Sequence, residues 1–307
     1  MRLLVTGGSG TIGYAICDYL IKNKFDIEVV IYSRDEQKQE TMYNKYKGSS
    51  LDIRYFIGDV RDKARLNLAV RNATHIIHAA ALKIVPAMEY NPIEAVKTNI
   101  QGSQNLIECV LENQQFRQQV MLTSTDKAVH PVNLYGATKL CAEKLMLAAN
   151  NMSGLQQHRF KVARYGNVAG SRGSVIPIFI DAIKNKRPIT ITNKYMTRFY
   201  ISQETAASLV VASILNGHDK DRNFYIPSMS AYNVEDLALA IWMHYEGTPA
   251  TFKYNEVGIR SGEKLHECIV TQEEAKLLKL DYVTSETTQQ MSIDEIRATL
   301  IKDGLLI

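Results

Sequence analysis

The run Thr6-Gly7-Gly8-Ser9-Gly10-Thr11-Ile12-Gly13 constrains this 307-residue chain more than any other feature. It follows a short apolar stretch, Leu3 to Thr6. It precedes Ile12 to Lys22, where Ile12, Ala15, Ile16, Tyr19 and Leu20 recur at the spacing of one helix face. Glycines at 7, 10 and 13 follow G-x-x-G-x-x-G, one residue wider at the front than the dinucleotide fingerprint. The need is similar: a tight turn after the strand, backbone close to a pyrophosphate, and a helix packed hard on a sheet. The following helix offers free N–H groups and the positive end of its dipole to phosphates. Elsewhere such a cluster would be an ordinary flexible turn; between a strand and an amphipathic helix it is a candidate dinucleotide site.

Beyond the loop, apolar runs of strand length alternate with helical stretches, the pattern of βαβ units on a parallel sheet. Strands are expected at Ile27 to Tyr32, Ile53 to Ile57, Thr74 to Ala80, Val120 to Ser124 and Phe160 to Arg164. Helices are expected at Asn99 to Glu112 and Tyr135 to Ala149, and a further one from Ser292 to Leu306. After Tyr165 the alternation breaks, punctuated by Arg172-Gly173, Pro177, Pro188, Pro227, Gly247-Thr248-Pro249 and Ser261-Gly262. The expected fold is α/β, a Rossmann-type doubly wound parallel sheet in residues 1–165 with a smaller mixed α/β domain in 166–307. Phe224-Tyr225-Ile226, within 221–227, reads as a strand that rejoins the first sheet or belongs to the second.

Apolar residues make up 46% of the chain, enough for a real core and against a disordered or fibrous chain. Thirty-six Lys and Arg face 32 Asp and Glu, an excess of +4 that is too small to point to nucleic acid but suits a pocket for an anion. Cys17, Cys109, Cys141 and Cys268 lack metal or redox spacing and read as free thiols, with no metal site expected. No apolar stretch reaches membrane-spanning length, and the amino terminus enters the first strand directly, so a cytoplasmic protein without membrane contact is expected.

The second strand runs into Tyr32-Ser33-Arg34-Asp35-Glu36-Gln37-Lys38. An acid directly at this strand end would select the ribose 2′-hydroxyl of NAD. Ser33 and Arg34 with Lys38 one turn on suit a 2′-phosphate, so NADP is favoured over NAD, although Asp35 and Glu36 blur the signal. Asp59, beside Val60 at the third strand end, is placed to accept from the adenine amino group. Ala79-Ala80-Ala81 offers small side chains where the cofactor backbone passes. Gly7, Ser9, Gly10, Thr11, Ile12 and Gly13 complete the cofactor set.

Tyr135-Gly136-Ala137-Thr138-Lys139 is a Tyr-x-x-x-Lys pattern, which puts phenol and ammonium on one helix face. An adjacent cation favours phenolate and so makes a usable base of a group whose ordinary pKa is near 10. Ten residues upstream, Ser124-Thr125-Asp126-Lys127 closes the fifth strand with a hydroxyl and two opposite charges. Alone, each is mundane: a core tyrosine, a surface ion pair. Together with the glycine loop they resemble an extended short-chain dehydrogenase/reductase, and within it the UDP-N-acetylglucosamine 4,6-dehydratases that invert C5. Further segments carry the likeness, among them His78 to Lys83, Glu89-Tyr90-Asn91-Pro92, Arg164 to Val168, Gly170 to Pro177, Met196-Thr197-Arg198-Phe199 and Gly258 to Glu267. Asp126-Lys127 is the discriminating piece, since epimerases of the superfamily generally lack the acid–lysine pair.

The resemblance implies roles. Tyr135 would take the sugar 4-hydroxyl proton while C4 gives hydride to NADP⁺, and Lys139 would hold Tyr135 ionised and grip the nicotinamide ribose. Thr125 would bond near O4, Lys127 would abstract the C5 proton, and Asp126, if protonated, would release the 6-hydroxyl as water. Hydride then returns to C6. Lys83, just after the fourth strand, is placed to reach the sugar or a phosphate, and Asn167, Arg198, Arg260 and Glu263 match positions that hold the nucleotide sugar, here UDP-GlcNAc or a close UDP-hexosamine. Ser261, Ile84 and Tyr200 depart from the usual proline, histidine and tryptophan, and bear on affinity more than on chemistry. The resemblance further implies a homo-oligomer, dimer or hexamer, and a 4-keto-6-deoxy product that feeds synthesis of modified surface sugars. A 4-epimerase of the same fold and a non-catalytic NADP-binding regulator are the alternatives, the latter against the retention of Tyr135 and Lys139.

Overall fold

The first apolar run forms the middle of a parallel sheet. The computed structural model describes residues 1–113, 115–154, 157–215 and 223–307. Among these, β1 (Arg2–Thr6), β2 (Glu28–Ser33), β3 (Asp52–Ile57), β4 (His75–His78), β5 (Gln119–Thr125) and β6 (Arg159–Tyr165) appear in the order expected. Helices α1 (Thr11–Lys22), α2 (Glu36–Tyr46) and α3 (Lys63–Val70) connect the early strands. The short α4 (Val85–Tyr90) and α5 (Pro92–Ala95), a π-helical turn at Val96–Gln101, α6 (Gly102–Leu111) and α7 (Leu134–Met152) follow.

Later come β7 (Asn167–Val168), α8 (Val175–Lys184), β8 (Ile189–Ile191), β9 (Thr197–Ile201), α9 (Gln203–Leu215) and β10 (Phe224–Tyr225). The chain finishes with β11 (Ser230–Asn233), α10 (Val234–Glu246), β12 (Tyr254–Glu256), α11 (Gln272–Leu278) and α12 (Ile293–Lys302).

The main sheet has the order β3-β2-β1-β4-β5-β6-β10, seven strands among the described residues. The order reverses between β1 and β4, the switch point at which doubly wound sheets bind ligands at their carboxyl ends. Register is set by near-continuous apolar strands: Leu3, Leu4 and Val5 lie opposite Val29, Val30 and Ile31 on one side and His75, Ile76 and Ile77 on the other. Strands buried on both faces read as unbroken Val/Ile/Leu runs for this reason. The returning strand does join this sheet, with Phe224 and Tyr225 parallel to Val162 and Ala163; positions 221 and 222 of that expectation lie outside the described residues.

Contacts group the chain into two compact units. The first comprises Met1–Ser124, Ala137–Arg164 and Glu204–Pro227; the second comprises Thr125–Gly136, Tyr165–Gln203 and Ser228–Ile307. The core of the first includes Leu4, Ile76, Leu106, Val120, Leu122 and Phe160. The second packs Phe179, Ile189, Tyr232, Leu237, Ile241 and Leu300 around mixed β11-β9-β7 and parallel β12-β8. The helix expected at Asn99 to Glu112 starts earlier and winds as a π-helix until Gln101. The one expected at 292–306 is α12, capped by Ser292 and Glu295 in a reciprocal capping box. No helix among the described residues is long and apolar enough to cross a membrane.

Candidate active site

In the first unit the chain leaves β1 and reverses at Gly7 with φ +68°, a left-handed conformation that favours glycine. A Cβ on Gly7 would lie 2.7 Å from the Ala80 backbone, and one on Gly13 only 1.8 Å from the Gly8 carbonyl oxygen. Neither position admits a side chain. Gly10 caps α1 without a side-chain hydrogen bond, whereas Asp35 and Asp62 cap α2 and α3 with their carboxylates. The first turn of α1 thus receives no acceptor from its cap residue, and its amides and dipole suit a phosphate. Behind the loop, Thr6 Oγ1 and His78 Nδ1 share a hydrogen bond of 2.7 Å, and His78 Nε2 reaches Ser103 Oγ at 3.2 Å. Burial, helped by the Lys139 charge, drives His78 down to about 3, so it remains a neutral brace between β1 and β4.

At the β2 end, Ser33 is buried and already engaged: its hydroxyl accepts from Ser9 Oγ at 2.9 Å and from Gln39 Nε2 at 3.0 Å. These bonds tie the glycine loop to β2. Arg34, half exposed, approaches Asp59 at 3.4 Å. The Asp35 carboxylate accepts the Lys38 N–H at 3.0 Å and pairs with the Lys38 ammonium, so that acid is spent on the helix cap. Asp59 accepts from the Arg61 backbone and guanidinium at 2.7–2.9 Å. Burial favours its neutral form, but Arg61 and Arg34 hold it below the ordinary carboxylate range. The Val60 side chain is buried in the core, where a Cβ on Gly102 would meet it at 2.7 Å. Lys83 is exposed just beyond β4.

The second unit holds the Thr-Asp-Lys segment, and here charge is concentrated. β5 ends at Thr125, and Asp126–Ala128 forms a single 3₁₀ turn. Asp126 is fully buried, and its Oδ1 accepts from Thr125 Oγ1 at 2.9 Å and from Lys127 Nζ at 3.0 Å. Its Oδ2 is buried without a hydrogen-bond partner. Thr125 therefore has its one proton on Asp126 rather than free for a ligand. Lys127 Nζ also donates to Asn167 Oδ1 at 3.0 Å and lies 3.4 Å from Glu267 Oε1. Arg198 Nε and Lys264 Nζ approach the same Glu267 carboxylate at 4.0 and 3.5 Å.

Three cations and two carboxylates thus share one desolvated site. Burial, reinforced by Glu267, raises Asp126 toward its protonated form despite Lys127. Burial alone would lower Lys127, but Asp126 and Glu267 outweigh it and hold the lysine as an ammonium. Glu267 is itself held ionised, burial being overcome by Lys127, Arg198 and Lys264. The expectation that Lys127 acts as a base therefore requires that it first give up a proton, and the 3.0 Å bond to Asp126 supplies the route.

The other expected anchors fall around this cluster. The Arg198 guanidinium donates to the carbonyls of Thr197, Lys264 and Leu265 and so fixes the loop that carries Glu267. Arg260 is exposed on a tight turn, its N–H donating to Glu263 Oε2 at 3.3 Å and its carbonyl accepting from Glu263 N–H. The turn is docked by Asn133 Nδ2 on the Gly262 carbonyl at 2.7 Å, while Asn133 Oδ1 accepts from Gly136 N–H as the cap of α7. A Cβ on Gly136 would strike the Lys127 carbonyl at 2.1 Å, which explains the glycine inside Tyr-x-x-x-Lys. Tyr135 lies half-buried in the first turn of α7, with Lys139 one turn on. Lys139 is buried, donates to the Thr123 carbonyl at 2.7 Å, and is pushed by burial down to about 8 in spite of Glu143.

Sequence reasoning missed Glu267 and Lys264 as members of this cluster; the alternation Glu263-Lys264-Leu265-His266-Glu267 was the available signal, an i,i+3 charge pair on a turn. Among known proteins, the chain matches the polysaccharide biosynthesis protein family over residues 3–286. It is 44% identical to a UDP-N-acetylglucosamine 4,6-dehydratase (inverting) of Campylobacter jejuni subsp. jejuni, over 90% of this chain and 79% of that one. It is 35% identical to a UDP-glucose 4-epimerase of Rickettsia bellii, over 97% and 95%. The solved Pen protein of Bacillus thuringiensis superimposes with a TM-score of 0.90 at 32% identity, covering 100% of this chain and 98% of that one.

Proposed function

The chain belongs to the polysaccharide biosynthesis protein family, and from that premise we propose that it is an NADP-dependent hydro-lyase that converts UDP-N-acetylglucosamine, with inversion at C5, into the 4-keto-6-deoxy sugar and water. The observation that carries the reading is the buried Asp126 Oδ2, partnerless beside a hydrogen-bonded lysine. Burial raises the pKa of such a carboxyl, and a carboxyl so raised is suited to proton donation. An epimerase has no leaving group to protonate and no use for such a residue.

A nicotinamide bound at the glycine loop supplies the hydride acceptor for C4 and the hydride donor for C6. The loop fits it: Gly7 and Gly13 exclude side chains, and the uncapped start of α1 faces a phosphate. Arg34 and Lys38 take the 2′-phosphate; the alternative acid, Asp35, is committed to capping α2, which supports NADP over NAD. Tyr135 Oη removes the 4-hydroxyl proton, with the Lys139 ammonium favouring the phenolate. Lys127 passes a proton along its 3.0 Å bond to Asp126, leaving an amine and a carboxylic acid. The amine takes the C5 proton, acidified by the 4-ketone; the acid protonates O6, which leaves as water. The pair ends the elimination as it began; with hydride returned to C6, C5 is reprotonated on the opposite face, and the proton held by Tyr135 balances that addition and restores the phenolate.

Arg260, exposed, suits a diphosphate, and Lys83, also exposed, suits the sugar or a phosphate. Glu263 shapes the Arg260 turn, Asn167 accepts from Lys127, and Arg198 holds the loop that carries Glu267. We also expect a homo-oligomer. Incubation with UDP-N-acetylglucosamine and NADP⁺ followed by mass spectrometry tests the reading: loss of one water is expected, and an isobaric product would make the chain an epimerase. Ring couplings of the product in deuterated water decide the C5 outcome.

A further inference from the structure

We propose that Glu267 is a positioning residue for the Asp126–Lys127 pair, its carboxylate orienting the Lys127 ammonium and keeping a proton on the pair until substrate arrives. The inference rests on the elimination described above and adds a residue which that reading does not use.

Glu267 is anchored from behind. Its N–H donates to Ser285 Oγ at 2.9 Å and its carbonyl accepts from Ser285 N–H at 2.7 Å, with Ser285 fully buried. Its backbone is thereby held in place, and its side chain is buried. Lys127 Nζ points at Asp126 Oδ1, Asn167 Oδ1 and Glu267 Oε1, at 3.0, 3.0 and 3.4 Å, so Glu267 takes the third direction of the ammonium. Glu267 Oε2, buried, accepts no hydrogen bond and faces only Lys264 Nζ at 3.5 Å. Nothing in its surroundings asks for the carboxylate except charge.

The charged and titratable groups that face the pair come from four elements: Asp126 and Lys127 on their own turn, Arg198 on β9, Tyr232 on β11, and Lys264 with Glu267 on the following loop. Apart from Asp126 itself, Glu267 is the one acid in this set. Without its charge, Lys127 would sit part-buried near Arg198 and Lys264 with only Asp126 opposite, and an ammonium in that setting is disfavoured. Asp126 would also lose the anion that favours its protonated form. Both changes release the pair's proton at lower pH.

The test uses the full chain with NADP⁺. In E267Q the alkaline fall of kcat should come about 1 to 3 pH units lower than in the wild type, the range expected for removal of a close opposite charge. E267D should return most of the way to the wild-type profile. A role confined to packing would lower kcat equally at every pH. A second readout needs no turnover: denaturant unfolding of K127M, E267Q and the double variant should be non-additive, because the glutamate acts through the lysine. An unmoved profile or an additive cycle overturns the proposal. Should the wild type release no dehydrated sugar, the functional reading falls, and the unfolding cycle alone decides for or against Glu267.

Discussion

The glycine loop of the first unit and the charge cluster of the second solve the problem of holding a ligand in opposite ways. The loop works by subtraction: Gly7, Gly10 and Gly13 clear the backbone, and the start of α1 carries no cap side chain. The cluster works by accumulation: Asp126, Lys127, Arg198, Lys264 and Glu267 are brought together in a desolvated space where each sets the others' charge. Backbone amides offer fixed dipoles that cost no charge burial and are indifferent to pH. Buried side-chain charges are sensitive to pH and to every neighbour, which suits proton transfer. On the proposed reading, one region binds and the other reacts.

Substitutions can break this contrast. The largest effect is expected from Asp126→Asn, which keeps shape and burial but cannot donate a proton: kcat for dehydration should fall by about 10²–10⁴. NADP⁺ affinity, measured by titration calorimetry, should be unchanged. Loss of NADP⁺ binding in that variant would mean that the two regions are not functionally separate. Next comes Gly13→Ala, whose Cβ would strike backbone that cannot move aside. Stability should drop by about 2–3 kcal/mol in denaturant unfolding, with cofactor binding impaired. Gly10→Ala is the control: its Cβ would meet only the Gly7 carbonyl, at 3.1 Å, so the variant should fold but bind the cofactor more weakly.

A finer test addresses cofactor choice. Arg34→Ala should reduce the preference for NADP⁺ over NAD⁺ by about tenfold, the loss of one charge-assisted hydrogen bond. Equal preference before and after would remove Arg34 from the 2′-phosphate site. The smallest effect is expected at Tyr200, whose hydroxyl donates to Asp303 Oδ2 at 2.6 Å rather than to a group of the charge cluster. Tyr200→Phe should cost about 1 kcal/mol of stability and leave turnover intact. A large fall in kcat there would extend the reacting region beyond the cluster.

Much of the fold is legible along the chain because strands buried on both faces must be apolar throughout, as in Leu3-Leu4-Val5 and Val29-Val30-Ile31. The less legible elements are those with weak patterns. α2 buries only Gln39, Met42 and Tyr46, and its visible sign is the cap residue Asp35. The π-helical turn at Val96–Gln101 has no sequence signature of its own. At the site, Thr125, Asp126, Lys127, Tyr135 and Lys139 are legible because they lie close together in sequence at a strand end and on a helix face. Their states are not. Spacing does not show that Ser33 accepts from Ser9 and Gln39 or that the Val60 side chain lies in the core.

What the amino-acid order determined by itself is the loop and the sheet that presents it, since a left-handed φ, a missing Cβ and an unbroken apolar run are properties of residue types at neighbouring positions. Only the tertiary structure decided that Asn167, Arg198, Lys264 and Glu267 surround Lys127, and hence which groups in that cluster carry protons. Charge state depends on burial and on partners from distant segments, and neither is written in the spacing of nearby residues.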